Sequence, residues 1–286
     1  MQNILVAGAT GYLGKYIVKQ LQCDKFNTSV VVRNPDKFNQ FSLSVDNVIK
    51  AECTDPNSLT SCCDGVDVVI SSLGITKQKD GLSYMDVDYQ ANLNLLNEAK
   101  KSGVKKFIYV SVLNGDKLKA LKICEAKERF VAELQCSGLD YCIIRPNGFF
   151  SDMTEFYNMA LQGRIYLFGD GHLKSNPIHG SDLAKVCVDA IKTDEHNISV
   201  GGPEILTQLE IAQIAFNAAN KPLKIVFIPD IVRRMLLSIA KLFLNSYKYG
   251  PVEFFLNVMA MEMVAPVYGQ HRLEDYFREI KDVELL

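Results

Sequence analysis

The chain has 286 residues, a formal net charge of −2, 48% hydrophobic residues and 22% charged residues. This composition is ordinary for a folded globular protein, and the charge gives no support to nucleic-acid binding as a main role. The first residues lack the basic and long apolar segments of a secretory signal, so we expect a cytoplasmic protein. The eight cysteines include no C-x-x-C pair, which favours reduced thiols over disulfides or a metal site.

A glycine-rich stretch follows the first predicted strand and has the spacing G-x-x-G-x-x-G from residue 8 to residue 14. Its first glycine would permit a tight exit from the strand, its second the close approach of a pyrophosphate, and its third close packing of a helix on the sheet. The helix N-terminus would offer N–H groups to phosphates. The stretch therefore predicts a dinucleotide site, with an ordinary β–α turn as the alternative. The predicted cofactor-binding residues here are Gly8, Thr10, Gly11, Tyr12, Leu13 and Gly14.

The second predicted strand, residues 28–32, ends at Arg33. In folds that prefer NAD, an acidic residue near this point binds the ribose 2′-hydroxyl. An arginine instead suits the 2′-phosphate of NADP, through a charge-assisted hydrogen bond. We therefore expect NADP(H) as the cofactor, with NAD less favoured and a solvated surface arginine as the alternative.

Strands and helices alternate six times up to Pro146, which predicts an α/β fold with a doubly wound, Rossmann-type parallel sheet. We expect a cofactor domain over residues 1–150, joined by parts of 176–202, and a smaller, mostly helical substrate subdomain over 151–286. Ligands of such sheets bind at the carboxyl ends of the strands. The loops there add further predicted cofactor-binding residues: Glu52, Cys53, Ser72, Leu73, Gly74 and Pro146.

The segment 231–244 is strongly apolar, is interrupted by basic residues and is too short to span a bilayer. It could be a helix packed over a substrate crevice or an amphipathic helix lying in a membrane interface. We favour the packed helix, and we expect no stable membrane span.

Several short motifs occur in a fixed order along the chain. They are Gly8-Ala9-Thr10-Gly11-Tyr12-Leu13-Gly14, Arg33-Asn34-Pro35, Asp88-Tyr89-Gln90-Ala91-Asn92, Ala126-Lys127-Glu128, Ile144-Arg145-Pro146 and His179-Gly180-Ser181-Asp182-Leu183-Ala184. Together they resemble the atypical short-chain dehydrogenase/reductases, the NmrA-like and isoflavone-reductase-like NAD(P)-binding proteins. The tail, through Met263-Val264-Ala265-Pro266 and Tyr268-Gly269, is similar to the divinyl chlorophyllide reductase group.

The resemblance implies catalytic positions but also a departure from them. Typical members of the wider superfamily have a serine after the fifth strand and a Tyr-x-x-x-Lys pair on the next helix. Ser111 and Lys127 match the serine and the lysine, whereas Ile123 occupies the tyrosine position. The resemblance implies that Lys127 contacts the nicotinamide ribose, or acts as an acid or base if its pKa is lowered. It also implies that Asn92 holds a backbone kink. A surface lysine paired with glutamates, and a serine bound to local backbone, are the alternatives.

The function implied is an NADP(H)-dependent reductase of a small, largely apolar organic substrate, acting as a monomer or homodimer. A non-catalytic NADP(H)-binding redox sensor or assembly factor is the first alternative, and an NAD-sugar epimerase is the second, which Ile123 and Arg33 disfavour. We expect His179 and Asp182 to hold a strand and cap a helix. Aromatic and methionine residues after the sixth strand line an apolar substrate pocket or belong to the core: Phe149, Phe150, Met153 and Tyr157.

Overall fold

The computed structural model describes residues 2–75, 81–244 and 246–284. The chain divides into two compact units. The first consists of Met1–Arg145 and Leu183–Ile198, and the second of Pro146–Asp182 and Ser199–Leu286. The assignment of cofactor binding to residues 1–150 and of substrate binding to 151–286 stays a prediction.

Eleven strands and ten α-helices are present in the described part of the chain. The strands are β1 (Asn3–Ala7), β2 (Asn27–Val32), β3 (Asn47–Lys50), β4 (Val68–Ser71), β5 (Lys106–Val110), β6 (Asp140–Pro146), β7 (Ile165–Phe168), β8 (Lys174–Ser175), β9 (Asn197–Val200), β10 (Leu206–Thr207) and β11 (Ile225–Ile228). The helices are α1 (Tyr12–Cys23), α2 (Pro35–Asn39), α3 (Asn92–Lys101), α4 (Lys122–Gln135), α5 (Phe150–Leu161), α6 (Gly180–Asp189), α7 (Gln208–Ala218), α8 (Asp230–Phe243), α9 (Ser246–Val258) and α10 (Leu273–Glu284).

The main sheet has seven strands in the order β3-β2-β1-β4-β5-β6-β9. The pairs from β3 through to β6 are parallel, and the order reverses direction between β1 and β4. This is the doubly wound arrangement, so the predicted fold class is confirmed. Residues of β5 and α4 pack together in the core of the first unit, where the Phe130 ring lies 4.6 Å from that of Tyr109 and 5.8 Å from that of Phe107, measured between ring centroids.

A π-helical turn, Met85–Ala91, runs directly into α3 at Asn92. A π turn leaves backbone carbonyls without their usual α-helical donors. The side-chain amide of Asn92 donates to the Val87 and Asp88 carbonyl oxygens at 3.2 and 3.0 Å, and its oxygen accepts a 2.5 Å bond from the Ser71 hydroxyl. The kink expected at Asn92 is therefore confirmed, and the same side chain ties it to the end of β4.

The second unit has its own apolar core, formed by α5, α7 and α10 with the parallel pair β7–β11. Phe150 and Tyr157 are almost completely buried in it, and the Tyr157 ring stacks on that of Phe277 at 5.7 Å between centroids. For these two residues the core alternative is therefore the correct one. Met153 is partly buried against the same cluster.

A pair of buried asparagines ties the tail motif into the second unit. The side chain of Asn176 donates to the Ala265 oxygen at 2.9 Å and accepts from the Ala265 N–H at 2.9 Å. Asn147 donates to the Asn176 side chain at 2.7 Å and to the Met263 oxygen. The Met263–Pro266 segment, which carries the family resemblance of the tail, is thus held by side-chain hydrogen bonds to its backbone.

The prediction that the apolar face of segment 231–244 packs against the rest of the protein is wrong. The apolar side chains of α8 are mostly exposed, and the side chain that the helix buries is a charged one, Arg233. The periodicity identified an amphipathic helix correctly, but periodicity does not say which face is turned inward. Within the described residues, no helix is both long and apolar enough to cross a membrane.

Replacing Asn176 with alanine should lower the free energy of unfolding on the order of 3 kcal/mol, because the Ala265 backbone and the Asn147 amide would lose buried partners. Chemical denaturation followed by circular dichroism measures this. Asn217→Ala, an exposed position on α7, is the control and should shift stability little. Equal, small shifts for both variants would contradict a stabilising role for Asn176.

Candidate functional site

Two glycines of the loop after β1 are required by the protein's own packing. Gly8 has a φ of +86°, and a Cβ there would lie 2.7 Å from the Ser72 hydroxyl oxygen. A Cβ on Gly14 would lie 2.1 Å from the Gly8 carbonyl oxygen, which no real contact permits. These glycines let α1 approach the carboxyl end of β1 closely, as the sequence predicts.

Gly11 differs, because a Cβ there would meet only the Gly8 carbonyl oxygen, at 3.2 Å. The residue is exposed, its backbone is extended, and it is the N-cap of α1, so it has no side chain to accept from the first turn. The contact with the Gly8 oxygen is tight but not prohibitive, so packing within the protein requires glycine less strictly here than at positions 8 and 14. A bare backbone at a helix N-terminus is the feature that a pyrophosphate needs, so the residues present fit a dinucleotide. The side chain of Leu13 is buried, which leaves its backbone N–H as its means of contact.

The loop after β4 lies directly against this glycine loop. The Ser72 hydroxyl donates to the Ala7 carbonyl oxygen at 3.1 Å, and the Leu73 N–H donates to the Ser71 hydroxyl at 3.3 Å. A Cβ on Gly74 would lie 2.8 Å from an Asp88 carboxylate oxygen and 3.3 Å from the Lys127 amine. Gly74, the last of the three predicted cofactor positions in this loop, is therefore next to the predicted lysine.

Lys127 is buried and paired, so the surface-lysine alternative is wrong. Its amine lies 3.1 Å from Asp88 Oδ1 and donates to the Val110 carbonyl oxygen at 3.3 Å, and it sits over the Tyr109 ring at 5.3 Å. The Asp88 Oδ1 atom has no aligned hydrogen bond within the described residues, so the contact with Lys127 is chiefly electrostatic. Its other oxygen accepts from the Ile75 N–H at 3.2 Å.

The pKa of Lys127 is raised, not lowered. Burial acts to lower it, but the neighbouring Tyr109 and the Asp88 carboxylate together outweigh burial. Lys127 is therefore a protonated amine throughout the neutral pH range. The condition under which it would be an acid–base group of lowered pKa is not met.

Ser111 belongs to a buried charge network that sequence reasoning missed. Its hydroxyl donates to Glu128 Oε1 at 3.1 Å, and Arg145 grips the same carboxylate with two bonds of 2.5 and 2.9 Å. A Cβ on Gly115 would lie 2.6 Å from Glu128 Oε1, so the neighbouring loop also closes on this carboxylate. The hydroxyl proton of Ser111 is therefore already engaged in a hydrogen bond to Glu128. The signal was present in the sequence, because Glu128 and Arg145 both lie within motifs that carry the family resemblance.

Arg33 and Glu52 stand at the ends of neighbouring strands, with 3.9 Å between their side-chain nitrogen and oxygen atoms. Their side chains are 60% and 42% exposed, so solvent weakens the pair. The thiol of Cys53 is buried, and burial together with Cys62 raises its pKa to about 12, so it is a neutral, apolar neighbour. Among the three, Arg33 and Glu52 are the ones whose charges can meet a ligand.

The remaining candidates, Pro146, His179 and Asp182, lie in the second unit. Pro146 ends β6 and is buried. The ring of His179 accepts from the Ser181 N–H at 3.2 Å and so caps α6, while Asp182 accepts from the Gln270 and His271 N–H groups at 3.1 Å each. Burial and His271 lower the pKa of His179 to about 4, so it is neutral in this role. The predicted helix-capping role is therefore confirmed for His179, whereas Asp182 holds the loop before α10 and not a strand.

All eight cysteines are free thiols, and no group of three or more His, Cys, Asp or Glu side chains in the described residues could hold a metal ion. The charged groups that the fold does bring together are two buried pairs in the first unit, Lys127–Asp88 and Arg145–Glu128. Both lie beside the carboxyl ends of the central strands β4 to β6.

A family model described as NAD(P)H-binding matches residues 8–194, which include the glycine loop, both buried charge pairs and five of the seven strands of the main sheet. The chain belongs to the NAD(P)H-binding family. The expected NAD(P) cofactor is therefore confirmed, whereas the assignment of the glycine loop to the dinucleotide stays a prediction.

The chain is also similar to individual proteins over most of its length. It is 31% identical to divinyl chlorophyllide a 8-vinyl-reductase of Arabidopsis thaliana, a chloroplastic protein, over 97% of this chain and 76% of that protein. It is 26% identical to the photosystem II assembly factor Ycf39 of Synechocystis, over 95% and 86%. The crystal structure of the Escherichia coli NADPH-dependent quinone oxidoreductase QOR2 with NADPH has the same fold, with a TM-score of 0.73 and 20% identity over 97% and 99% of the two chains.

Gly11→Val should abolish NADPH binding and leave the fold intact, because the added side chain enters the space of the pyrophosphate while the extended backbone accepts any residue. Gly11→Ala should weaken binding less. Fluorescence titration of NADPH measures affinity, and thermal unfolding checks the fold. A folded Gly11→Val variant with wild-type affinity would mean that the cofactor does not approach the chain here.

Proposed function

We propose that this member of the NAD(P)H-binding family is an NADP(H)-dependent reductase of a small, largely apolar organic substrate. The observation that carries the proposal is Lys127, a buried amine held in its protonated form by Asp88 beside Gly74 in the loop after β4. Buried charged groups are costly to maintain unless they serve structure or chemistry. This one lies at the carboxyl edge of the sheet, where ligands of such folds bind.

The protonation state of Lys127 favours reduction over oxidation. With NADPH as the hydride source, an acceptor bound here would gain negative charge that needs a hydrogen-bond donor or a proton. A protonated amine can donate to that charge or to the cofactor ribose, whereas it cannot act as the base that oxidation of an alcohol requires. The role that fits best is donation from a fixed position, with Asp88 keeping the amine charged.

The Ser111–Glu128–Arg145 network would position this amine without touching substrate. Glu128 follows Lys127 on α4, and the two-bond grip of Arg145 fastens it to β6 while Ser111 fastens it to the end of β5. A bidentate arginine–carboxylate pair fixes geometry more tightly than a single bond. The network would therefore fix the position of α4, and with it the position of the Lys127 amine, relative to the carboxyl ends of the strands.

The cofactor would lie along the residues already described. The N-terminus of α1 and Gly11 would hold the pyrophosphate, Arg33 the 2′-phosphate, and the Ser72–Gly74 loop the ribose side. Glu52 would oppose the 2′-phosphate, so the preference for NADPH over NADH would depend on the balance between Arg33 and Glu52.

We base the proposed substrate class on the proteins to which this chain is similar. One of these proteins is named for reduction of a vinyl group of divinyl chlorophyllide, and another for oxidoreduction of quinones. Divinyl chlorophyllide and a set of quinones are therefore the first substrates to test with NADPH.

A non-catalytic NADP(H)-binding assembly factor is the second candidate. It is supported by Ile123 at the position of the usual tyrosine, by the engagement of the Ser111 proton, and by similarity to a photosystem II assembly factor. An NAD-sugar epimerase is less well supported, because an epimerase would use the tyrosine that Ile123 replaces.

Arg33→Ala should weaken NADPH binding by about 1.5–3 kcal/mol, the range for a hydrogen bond to a charged group, and should leave NADH binding nearly unchanged. Glu52→Gln should act in the opposite direction and strengthen NADPH binding, because it removes a negative charge near the 2′-phosphate. Calorimetric titrations of both variants with both cofactors measure this. Parallel losses for NADPH and NADH in Arg33→Ala would exclude a 2′-phosphate role.

A variant that removes the Lys127 amine must also remove the charge of Asp88, because a buried carboxylate without a partner destabilises the fold. Lys127→Met alone would leave Asp88 without its partner and destabilise the fold, so the informative variant is Lys127→Met combined with Asp88→Asn. If Lys127 donates to the substrate, turnover should fall roughly 10²-fold or more while NADPH affinity changes less. Steady-state kinetics and NADPH titration separate the two effects.

Lys119→Met, which removes an exposed amine close to α4 in sequence, is the control and should keep full turnover. Wild-type turnover in the folded double variant would remove Lys127 from the reaction. A wild-type protein that binds NADPH tightly but oxidises it with no member of the substrate set would favour the assembly-factor candidate.

A further inference from the structure

The helix α8 turns an apolar face to solvent. Seven of its apolar side chains are exposed, and the two most exposed are Phe243 at 81% and Leu242 at 79%. The others are Ile231, Val232, Met235, Leu236 and Ile239. At the α-helical period of 3.6 residues per turn these seven occupy one continuous arc of the helix surface. Soluble proteins rarely expose an apolar surface of this extent unless something covers it.

The polar contacts of α8 confirm which side is turned inward. Arg233 is buried, donates to Asp230 at 2.5 Å, and directs its guanidinium towards the Leu256 oxygen and the Asn257 side chain of α9 at 3.5 and 3.4 Å. The helix is thus anchored to α9 partly through a charged residue while its apolar arc faces out. An ordinary surface helix buries its apolar face and exposes its charged side chains, whereas α8 buries a charged residue and exposes its apolar arc.

The charge on α8 identifies the kind of surface that would cover the arc. The helix has three basic residues and one acidic residue, Asp230, which pairs with both Arg233 and Arg234, in a chain whose net charge is −2. Two of the basic residues, Arg234 and Lys241, are exposed, and helical spacing places both along one border of the apolar arc. An apolar face bordered by basic residues is the pattern of a helix that lies in an anionic membrane interface.

We propose that α8 docks this protein on an anionic lipid surface, with its apolar arc among the acyl chains and Arg234 and Lys241 at the headgroups. The helix is about 21 Å long at 1.5 Å per residue, shorter than the hydrocarbon core, so it lies in the interface and does not cross it. A second copy of the chain is a poorer occupant, because two arcs with the same net positive charge would repel each other.

Vesicle flotation of the purified full-length protein tests the proposal without reference to NADPH or turnover. The protein should float with vesicles of phosphatidylcholine and phosphatidylglycerol in equal parts, and much less with phosphatidylcholine alone or at high salt. The variant Leu242→Glu/Phe243→Glu should reduce the bound fraction about tenfold or more, because it places two charges in the apolar arc. Lys241→Glu should weaken binding to the anionic vesicles in particular.

The control is Ile205→Glu/Val267→Glu, which removes two exposed apolar side chains and adds the same charge outside α8. It should float like the wild type. Thermal unfolding should be unchanged in the α8 variant, since both side chains are exposed. Failure of the wild type to float, or equal losses in both double variants, would overturn the proposal. So would a concentration-dependent dimer in light scattering that Leu242→Glu/Phe243→Glu abolishes, because the arc would then be a contact between copies.

Discussion

The close approach of α1 to the end of β1 is the constraint on which the site depends. A Cβ on Gly14 would lie 2.1 Å from the Gly8 oxygen, so the helix can take its place only if residue 14 is glycine. That approach brings the positive end of the helix dipole over the carboxyl edge of the sheet. Gly11 then presents backbone without a side chain at the same point, and the packing and binding roles of the three glycines become distinct.

Buried charges organise the other side of the edge. Asp88 and Glu128 are both buried carboxylates, and each has a basic partner, Lys127 and Arg145. The π turn before Asn92 brings Asp88 inward, since Asn92 supports the carbonyl oxygens that the turn leaves without donors. A single irregular turn thus makes it possible to keep a lysine charged inside the protein. Replacing either carboxylate alone would leave a buried cation without compensation, which explains why the pairs must be treated together.

Much of the first unit could be predicted from the sequence. Buried strands, a glycine loop and a parallel order follow from local patterns, and Asn92 was expected to hold a kink. The raised pKa of Lys127 could not be predicted, because it depends on Asp88, which lies 39 positions earlier in the chain and reaches the amine through tertiary packing. The hydrogen bond from Ser111 to Glu128 could not be predicted for the same reason, because it also depends on tertiary packing. Motif spacing identifies residue types at positions, whereas electrostatics depends on which residues the fold brings together.

Tertiary packing also decides which face of the helix α8 is buried, and the sequence alone does not give it. Its periodicity is clear, but periodicity is symmetric between an apolar face that is turned inward and one that is turned outward. Two physical facts separate these cases, the burial of Arg233 and the exposure of Leu242 and Phe243. They also connect the two proposals. An apolar substrate partitions into lipid, so a reductase that docks on a membrane surface would meet its substrate at a higher local concentration than one free in solution. The two proposals remain separable, because α8 variants should alter vesicle binding whereas variants at Lys127 and Asp88 should alter turnover.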